Sequence, residues 1–349
     1  MTRIVVCGTQ VPFARGGAEI LVESLVAELS ARGYAVDVVQ LPFSWACRTD
    51  VLKSALAWRL LDLRTLSGEA IDLVIATRFP AYLIRHPNKV VWLIHQFRQV
   101  YDLAGTPYSE YQDTPEDRRA AAMVRAMDER ALGEARALYS ISRNTAARLA
   151  RYNRLSALPL YPPPKLLPRL RTGSHGDYVL GVGRLDAMKR FDQAIEALAV
   201  ASSDARLVLA GTGPEEARLG ALAERRGIAE RVIFAGFVDD ARLLDLYAGA
   251  LAVYYAPFDE DYGYVTVEAM KAGKAVLTTK DAGGVLEFVE DGVNGFVTPP
   301  GNTRALAAAI DRLHGDAALA ARLGEAGRTK VANIGWDEVI TSLTGGLPP

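Results

Sequence analysis

The chain has 349 residues, half of them apolar, which at a usual domain size of about 100–200 residues is material for two packed cores. Forty basic against 41 acidic side chains leave a net charge of -1, which argues against an extended nucleic-acid footprint, because a polyanion is normally met by a basic excess. Two cysteines, Cys7 and Cys47, are too few for a disulfide framework or a cysteine-built zinc site, and no apolar run is long enough for a signal peptide or membrane span, so the expectation is a soluble, cytoplasmic protein.

Residues 4–7 form a short apolar run that ends at Gly8 and reads as a strand. After a loop bearing proline and glycine, residues 18–31 repeat apolar side chains at helical spacing until Gly33 stops them. Further β-branched runs follow at 36–41, 73–76 and 90–94, each far enough from the next for a crossover helix. Residues 139–141 read as a late strand and 142–151 as the helix after it. Such alternation predicts a parallel sheet covered on both faces. Residues 51–66 place Lys53, Arg59 and Arg64 beside Trp58 and several leucines, a pattern that suits a core-facing helix with basic edges better than a peripheral contact with an anionic membrane. Residues 95–101 and 107–111 interleave aromatic and polar groups, which fits ordinary loop packing, the favoured reading, or a surface that stacks on a ligand or closes over it as a lid.

The strongest punctuation is Leu158-Pro159-Leu160-Tyr161-Pro162-Pro163-Pro164, followed by the basic stretch 165–176. A stiff segment poor in ladder donors predicts the domain linker. Beyond it the strand rhythm restarts at 178–182, 207–210, 232–235, 252–255, 275–278 and 295–297, with helices such as 191–200 and 214–226 between. Two doubly wound α/β domains in tandem are expected, residues 1–160 and 161–335, with chemistry outside the carboxyl ends of their strands. The first 160 residues carry 20 basic and 16 acidic groups (+4) and the rest 20 and 25 (-5), so the chain is dipolar.

Glycine-rich turns invite a dehydrogenase or kinase reading, and the residues refuse both. Gly211-Thr212-Gly213-Pro214 lacks the third glycine of the dinucleotide fingerprint, and no GxxxxGK[ST] occurs. A tight turn is the favoured reading of Gly211 and Gly213. More informative is the segment 258–273. It follows an apolar run, and residues 264–272 fit a helix closed by Gly273, which puts the backbone N–H groups of Gly263, Tyr264 and Val265 at a helix N-terminus able to bind an anion. Glu260 before that helix and Glu268 inside it are suited to accept hydrogen bonds from vicinal hydroxyls of one extended ligand, or are a loop acid and an ordinary surface glutamate. A strand ending in Gly181 and Gly183 precedes Arg184 and Lys189, either a clamp for a diphosphate or a solvated charge pair at a helix start.

These clusters occur in order with Arg15-Gly16-Gly17-Ala18-Glu19, the proline-rich linker, Glu268-Ala269-Met270, Gly283-Gly284-Val285-Leu286-Glu287 and Asp291-Gly292-Val293-Asn294-Gly295. The ordered set covers essentially the whole chain and resembles glycosyltransferase family 4, the retaining nucleotide-sugar transferases of the GT-B fold. The resemblance implies two Rossmann-like domains facing across a cleft, the first for the acceptor and the second for the nucleotide sugar, with a last helix from about residue 336 returning to the first. It places Gly16 and Gly17 by the donor phosphates and acceptor. Gly183, Arg184 and Lys189 fall at the diphosphate, Glu260 at the sugar, Glu268 at the ribose, and Gly263 to Val265 at the distal phosphate. His95, ending a buried strand, matches the family's active-site histidine. The implied reaction moves a sugar from a nucleoside diphosphate, uridine preferred to guanosine, to an acceptor hydroxyl with retention, without a cofactor. Asp259-Glu260-Asp261 departs from the pattern and looks like a DxD metal site. It is read instead as a glutamate between two solvated loop acids, because the basic clamp already neutralises the diphosphate. A nucleotide-sugar epimerase, a phosphorylase of the same architecture and a silent nucleotide-sugar-binding subunit are the alternatives.

Overall fold

The computed structural model describes residues 1–13, 15–45 and 47–349. It divides into two compact units, Met1–Lys165 with Gly335–Pro349, and Leu166–Ile334.

The first unit is built on strands β1 (Arg3–Gln10), β2 (Ala35–Pro42), β5 (Leu73–Ala76), β6 (Lys89–Leu93), β7 (Ala137–Ser140) and β8 (Leu158–Pro159), with a small antiparallel pair β3 (Thr65–Leu66) and β4 (Glu69–Ala70) set apart. The main sheet is parallel throughout, in the order β2-β1-β5-β6-β7-β8. Its central strands are buried along their whole length, which is why Leu73-Val74-Ile75-Ala76 reads as continuous rather than alternating hydrophobicity. Helices α1 (Gly17–Ala31), α2 (Arg48–Leu60), α3 (Pro115–Gly133) and α4 (Arg143–Asn153) make the connections. Helix α2 buries Val51, Ala55 and Trp58, i and i+4 and i+7, and ends at Leu60, short of the expected residue 66, where Leu61 turns extended. Its basic residues are paired: Arg48 with Asp117 at 2.6 Å and Arg59 with Glu134 at 2.5 Å, while Arg64 beyond the helix meets Asp62.

The proline stretch is not all linker. Leu158–Pro159 pairs in parallel with β7, and Leu160 N–H donates to Ser140 O at 2.8 Å. Proline is tolerated there because β8 is the sheet's edge and no further strand asks for its missing donor. Pro162, Pro163 and Pro164 are buried, and the units divide after Lys165. Helix α11 (Trp336–Thr344) belongs to this first unit: Val339, Ile340 and Leu343 are buried, Trp336 meets Trp92 edge-on at 6.3 Å, and Tyr139 donates to Ser342 O at 3.2 Å. Three such buried side chains contribute about 1.5–3 kcal/mol each.

The second unit repeats the plan with β9 (Tyr178–Val182), β10 (Arg206–Ala210), β11 (Val232–Gly236), β12 (Ala252–Tyr254), β13 (Ala275–Thr279) and β14 (Gly295–Thr298), in the parallel order β11-β10-β9-β12-β13-β14. Helices α5 (Phe191–Val200), α6 (Glu216–Arg225), α7 (Asp240–Gly249), α8 (Tyr264–Lys271), α9 (Thr303–Gly315) and α10 (Ala317–Lys330) complete it. Helix α6 starts two residues later than expected because 214–215 lie in the turn before it. The strand order reverses at β9 and β12, so the loops after these two strands flank the crevice in which such sheets bind ligands. Among the described residues no helix is long and apolar enough to cross a membrane.

Candidate functional site

At the reversal point of the second sheet, the chain leaves β9 through Gly183-Arg184-Leu185 into a 3-10 turn, Ala187–Lys189, capped by Asp186, whose Oδ1 accepts from Lys189 N–H at 3.2 Å. The turn lies against the loop after β10: Gly183 N–H donates to Ala210 O and Leu185 N–H to Thr212 O, both at 3.0 Å. A Cβ on Gly211 would stand 2.0 Å from Gly183 O and one on Gly213 2.3 Å from Leu185 O, so these glycines serve the contact between two loops. Arg184 is exposed in the same stretch.

Arg190, next in the chain, fixes the direction of Lys189. Its buried guanidinium donates to Ala256 O at 2.8 Å and to Pro257 O and Thr279 Oγ1 at 2.9 Å, and forks onto Asp281 at 2.8 and 2.9 Å. One side chain thereby ties the loop after β9 to those after β12 and β13, the use for which the arginine fork is shaped. Lys189 then turns toward Glu260, with Nζ 2.5 Å from Oε2 and 3.0 Å from the Tyr255 hydroxyl, which lies 2.9 Å from the same Oε2. Burial works against the charge on Lys189, but Glu260 and Tyr255 outweigh it, and the ammonium is held above its ordinary range.

The loop carrying Glu260 is locked from the other side. Gly284 N–H donates to Glu260 O at 2.7 Å, Glu260 N–H to Ala282 O at 3.2 Å and Asp259 N–H to Asp281 O at 2.9 Å. Gly283 has φ 62°, and a Cβ there would come within 2.6 Å of Glu260 O; one on Gly284 would come within 2.6 Å of Asp261 O. The double glycine is therefore the surface on which the acidic loop rests. Asp259 and Asp261 are half-buried and have partners in this arrangement, which corrects their reading as solvated loop acids. Among the described residues no group of three or more His, Cys, Asp or Glu is placed to hold a metal.

Gly263, at φ 87°, caps α8, and helix geometry leaves the N–H groups of Tyr264 and Val265 without intrahelical acceptors. One turn in, Glu268 is part-buried and accepts from the Tyr247 hydroxyl at 2.7 Å. Burial pushes its carboxyl up to about 7, with Tyr247 pulling back and Asp240 adding to the rise.

In the first unit the sheet order reverses between β1 and β5. Gly16 caps α1 and donates its N–H to Glu19 Oε2 at 2.9 Å, while the other oxygen of Glu19 pairs with Arg78 from the loop after β5. The helix start at Gly16 and Gly17 is thus already served by a carboxylate of its own chain. His95 follows β6, half-buried, with Nδ1 2.7 Å from Gln96 O. The aromatic residues nearby are mostly core: Phe97 packs on Phe43, Phe79 and Tyr111 with ring centroids 5.9, 5.5 and 5.7 Å away, and the Arg48 guanidinium lies 4.0 Å over Tyr111. Sequence reasoning missed Tyr255, the Arg190–Asp281 fork and the Glu19–Arg78 pair. All three are meetings of residues distant along the chain, and nothing local gave any of them a partner.

Residues 168–330 match the family described as Glycosyl transferases group 1. Among curated proteins the chain is similar to alpha-D-kanosaminyltransferase of Streptomyces kanamyceticus, 30% identical over 262 residues, 73% of this chain and 64% of that protein. It is also similar to D-inositol 3-phosphate glycosyltransferase of Acidothermus cellulolyticus, 32% identical over 190 residues, 51% of this chain and 42% of that one. The alignments span less than two thirds of these relatives. Of solved structures, sucrose-phosphate synthase of Thermosynechococcus elongatus superposes with TM-score 0.79 at 21% identity, covering 99% of this chain and 98% of that one. HepE of Anabaena in complex with UDP and glucose superposes with TM-score 0.71 at 21% identity, covering 99% and 100%. The shared fold is GT-B, two Rossmann-like domains with parallel sheets, and the match over residues 168–330 makes the second unit similar to the group 1 glycosyl transferases.

Proposed function

We propose that the protein transfers a sugar from a uridine diphosphate sugar to an acceptor hydroxyl, with retention and without a metal. The observation that carries this reading is the meeting of Lys189, Tyr255 and Glu260 at the reversal point of the second sheet, with the Tyr255 ring against Gly263, the cap of α8. A cation and a row of N–H groups suit a diphosphate. Two carboxylates set apart along the chain, Glu260 and Glu268, suit the hydroxyls of sugar and ribose. In this reading Gly183, Arg184 and Lys189 hold the diphosphate, Gly263 to Val265 the distal phosphate, Glu268 the ribose and Glu260 the sugar. The first unit contributes Gly16 and Gly17, an acceptor site and His95 at the sugar.

As the bond to the sugar breaks, charge grows on the leaving phosphate, which takes the acceptor's proton. Lys189, Arg184 and the helix N–H groups stabilise that charge before it forms. HepE, solved with UDP and with UDP-glucose, supports uridine as the base. Two unpaired thiols, one exposed, fit a reducing compartment, and we place the protein in the cytoplasm. A thermal-shift screen of nucleoside diphosphates and their sugars tests the reading. A true donor at 100 times its dissociation constant adds about 2.7 kcal/mol of stability. Failure of every nucleoside diphosphate and sugar to raise the melting temperature refutes it.

A further inference from the structure

Gln96 is fully buried just beyond the carboxyl end of β6, one residue after His95. Its side-chain amide donates through Nε2 to Asn153 Oδ1 at 2.8 Å. Asn153 Nδ2 donates to the Tyr101 hydroxyl at 3.2 Å, and that hydroxyl donates to Asp128 Oδ2 at 2.8 Å. Asn153 closes α4, Asp128 lies in α3 and Tyr101 ends the turn after β6, so three hydrogen bonds tie separate elements of the first unit to the loop that bears the histidine. The two ends of an amide are chemically distinct, which gives the relay one direction. Each proton points away from Gln96, and the carboxylate ends the chain as its acceptor.

Stability alone does not ask for such a relay. Gln96 and Asp128 are 0% exposed and Asn153 4%, and Gln96 Oε1 has no hydrogen-bond partner among the described residues. Apolar side chains of the same shape would avoid these desolvation costs. What the relay holds is the backbone that faces His95. The Nδ1 of His95 lies 2.7 Å from Gln96 O. A carbonyl only accepts, so Nδ1 carries the proton, and the neutral ring presents Nε2 as an acceptor. The position of that carbonyl is set by residue 96 through its anchored amide and by residue 97 through the Phe97 ring in the aromatic cluster.

We propose that Gln96, held from behind by Asn153, Tyr101 and Asp128, is a positioning residue that fixes the Nδ1-protonated form of His95, leaving Nε2 suited to a sugar hydroxyl and unsuited to an anionic oxygen. The proposal builds on the assignment of His95 to the sugar. Its test reads the ring itself: nitrogen NMR of full-length protein labelled in histidine, at about pH 8.5, where an ordinary imidazole is neutral. The chain has only four histidines, and a His95→Gln spectrum assigns the signal. The parent should show a protonated Nδ1 and a bare Nε2. Gln96→Leu should mix the two tautomers, and so should Tyr101→Phe, which breaks the relay two bonds away and serves if the first variant does not fold. Hydrolysis of UDP-glucose without acceptor should slow by about tenfold in either variant, with UDP affinity kept within about twofold. A proton on Nε2 in the parent, or ring signals unchanged in both variants, overturns the proposal. Changed signals with an unchanged hydrolysis rate uphold the positioning role and instead remove His95 from the sugar.

Discussion

Glu268 offers the sharpest test of the donor site, because the structure gives its carboxyl an unusual acidity and the proposed ligand cares about the charge. An ionised carboxylate accepts from both ribose hydroxyls, whereas a protonated one must spend an oxygen as a donor. With its value raised to about 7, the ionised fraction is about one in eleven at pH 6 and ten in eleven at pH 8. Affinity for a uridine diphosphate sugar should therefore rise about tenfold between these pH values and level off above. UDP-glucose is the better titrant than UDP, whose terminal phosphate itself ionises near pH 6. In calorimetry at pH 7, binding should release about half a proton, read from the dependence of the heat on buffer ionisation. Glu268→Gln should bind more weakly at pH 8 and lose both the pH dependence and the proton release. A parent affinity that is flat from pH 6 to 8, or a slope that survives in Glu268→Gln, would refute the reasoning. If Glu268 serves only as the partner of Tyr247, the variant melts lower but binds UDP-glucose as the parent does.

Lys189→Ala should lower kcat on the order of 100-fold or more, the scale for losing a transition-state donor, with single-turnover kinetics as the check. Glu260→Gln should weaken UDP-glucose yet tighten UDP, since it removes a negative charge beside the diphosphate and frees Lys189; equal weakening of both ligands contradicts the division between sugar and ribose. EDTA should leave turnover nearly intact, and a loss restored by manganese or magnesium would make Asp259 and Asp261 ligands after all. Asp128 is pushed up to about 7 by burial, so the folded state keeps its proton after the unfolded chain has lost one: the contribution of this group to stability is greatest below about pH 4, falls as pH rises to about 7 and stays low above. Asp128→Asn should flatten that slope and melt higher than the parent at pH 8, by roughly 2–4 kcal/mol in stability.

Sequence reading captured what is periodic or local. The continuous burial of Leu73–Ala76 and the helical spacing of Phe191–Val200 are written in consecutive residues, and both elements fall where the periodicity places them. Failures came where distant residues settle the matter. Leu158–Pro159 looks like a breaker until β7 is seen beside it, for an edge strand needs no donor on its outer side. The pair Gly283-Gly284 announces a tight backbone, but only the loop at Glu260 explains why. Likewise Asp259 and Asp261 carry no local sign that they are half-buried: surface and core differ for an acid only by its neighbours.

The same limit explains why the sequence suggested a clamp of two cations and the structure draws a cation joined to a carboxylate. A site of Arg184 and Lys189 alone would hold any diphosphate, with or without its sugar. Binding Lys189 to Glu260 and Tyr255 changes the selection. In the proposed reading Glu260 would repel a bare phosphate, whereas a sugar bonded to that phosphate would bring hydroxyls that donate to the carboxylate. On that reading, discrimination by Glu260 would come chiefly from disfavouring the ligand that lacks the sugar. Product release would gain from the same repulsion: once the sugar had left, the remaining diphosphate would face a carboxylate that no longer had hydroxyls to hold.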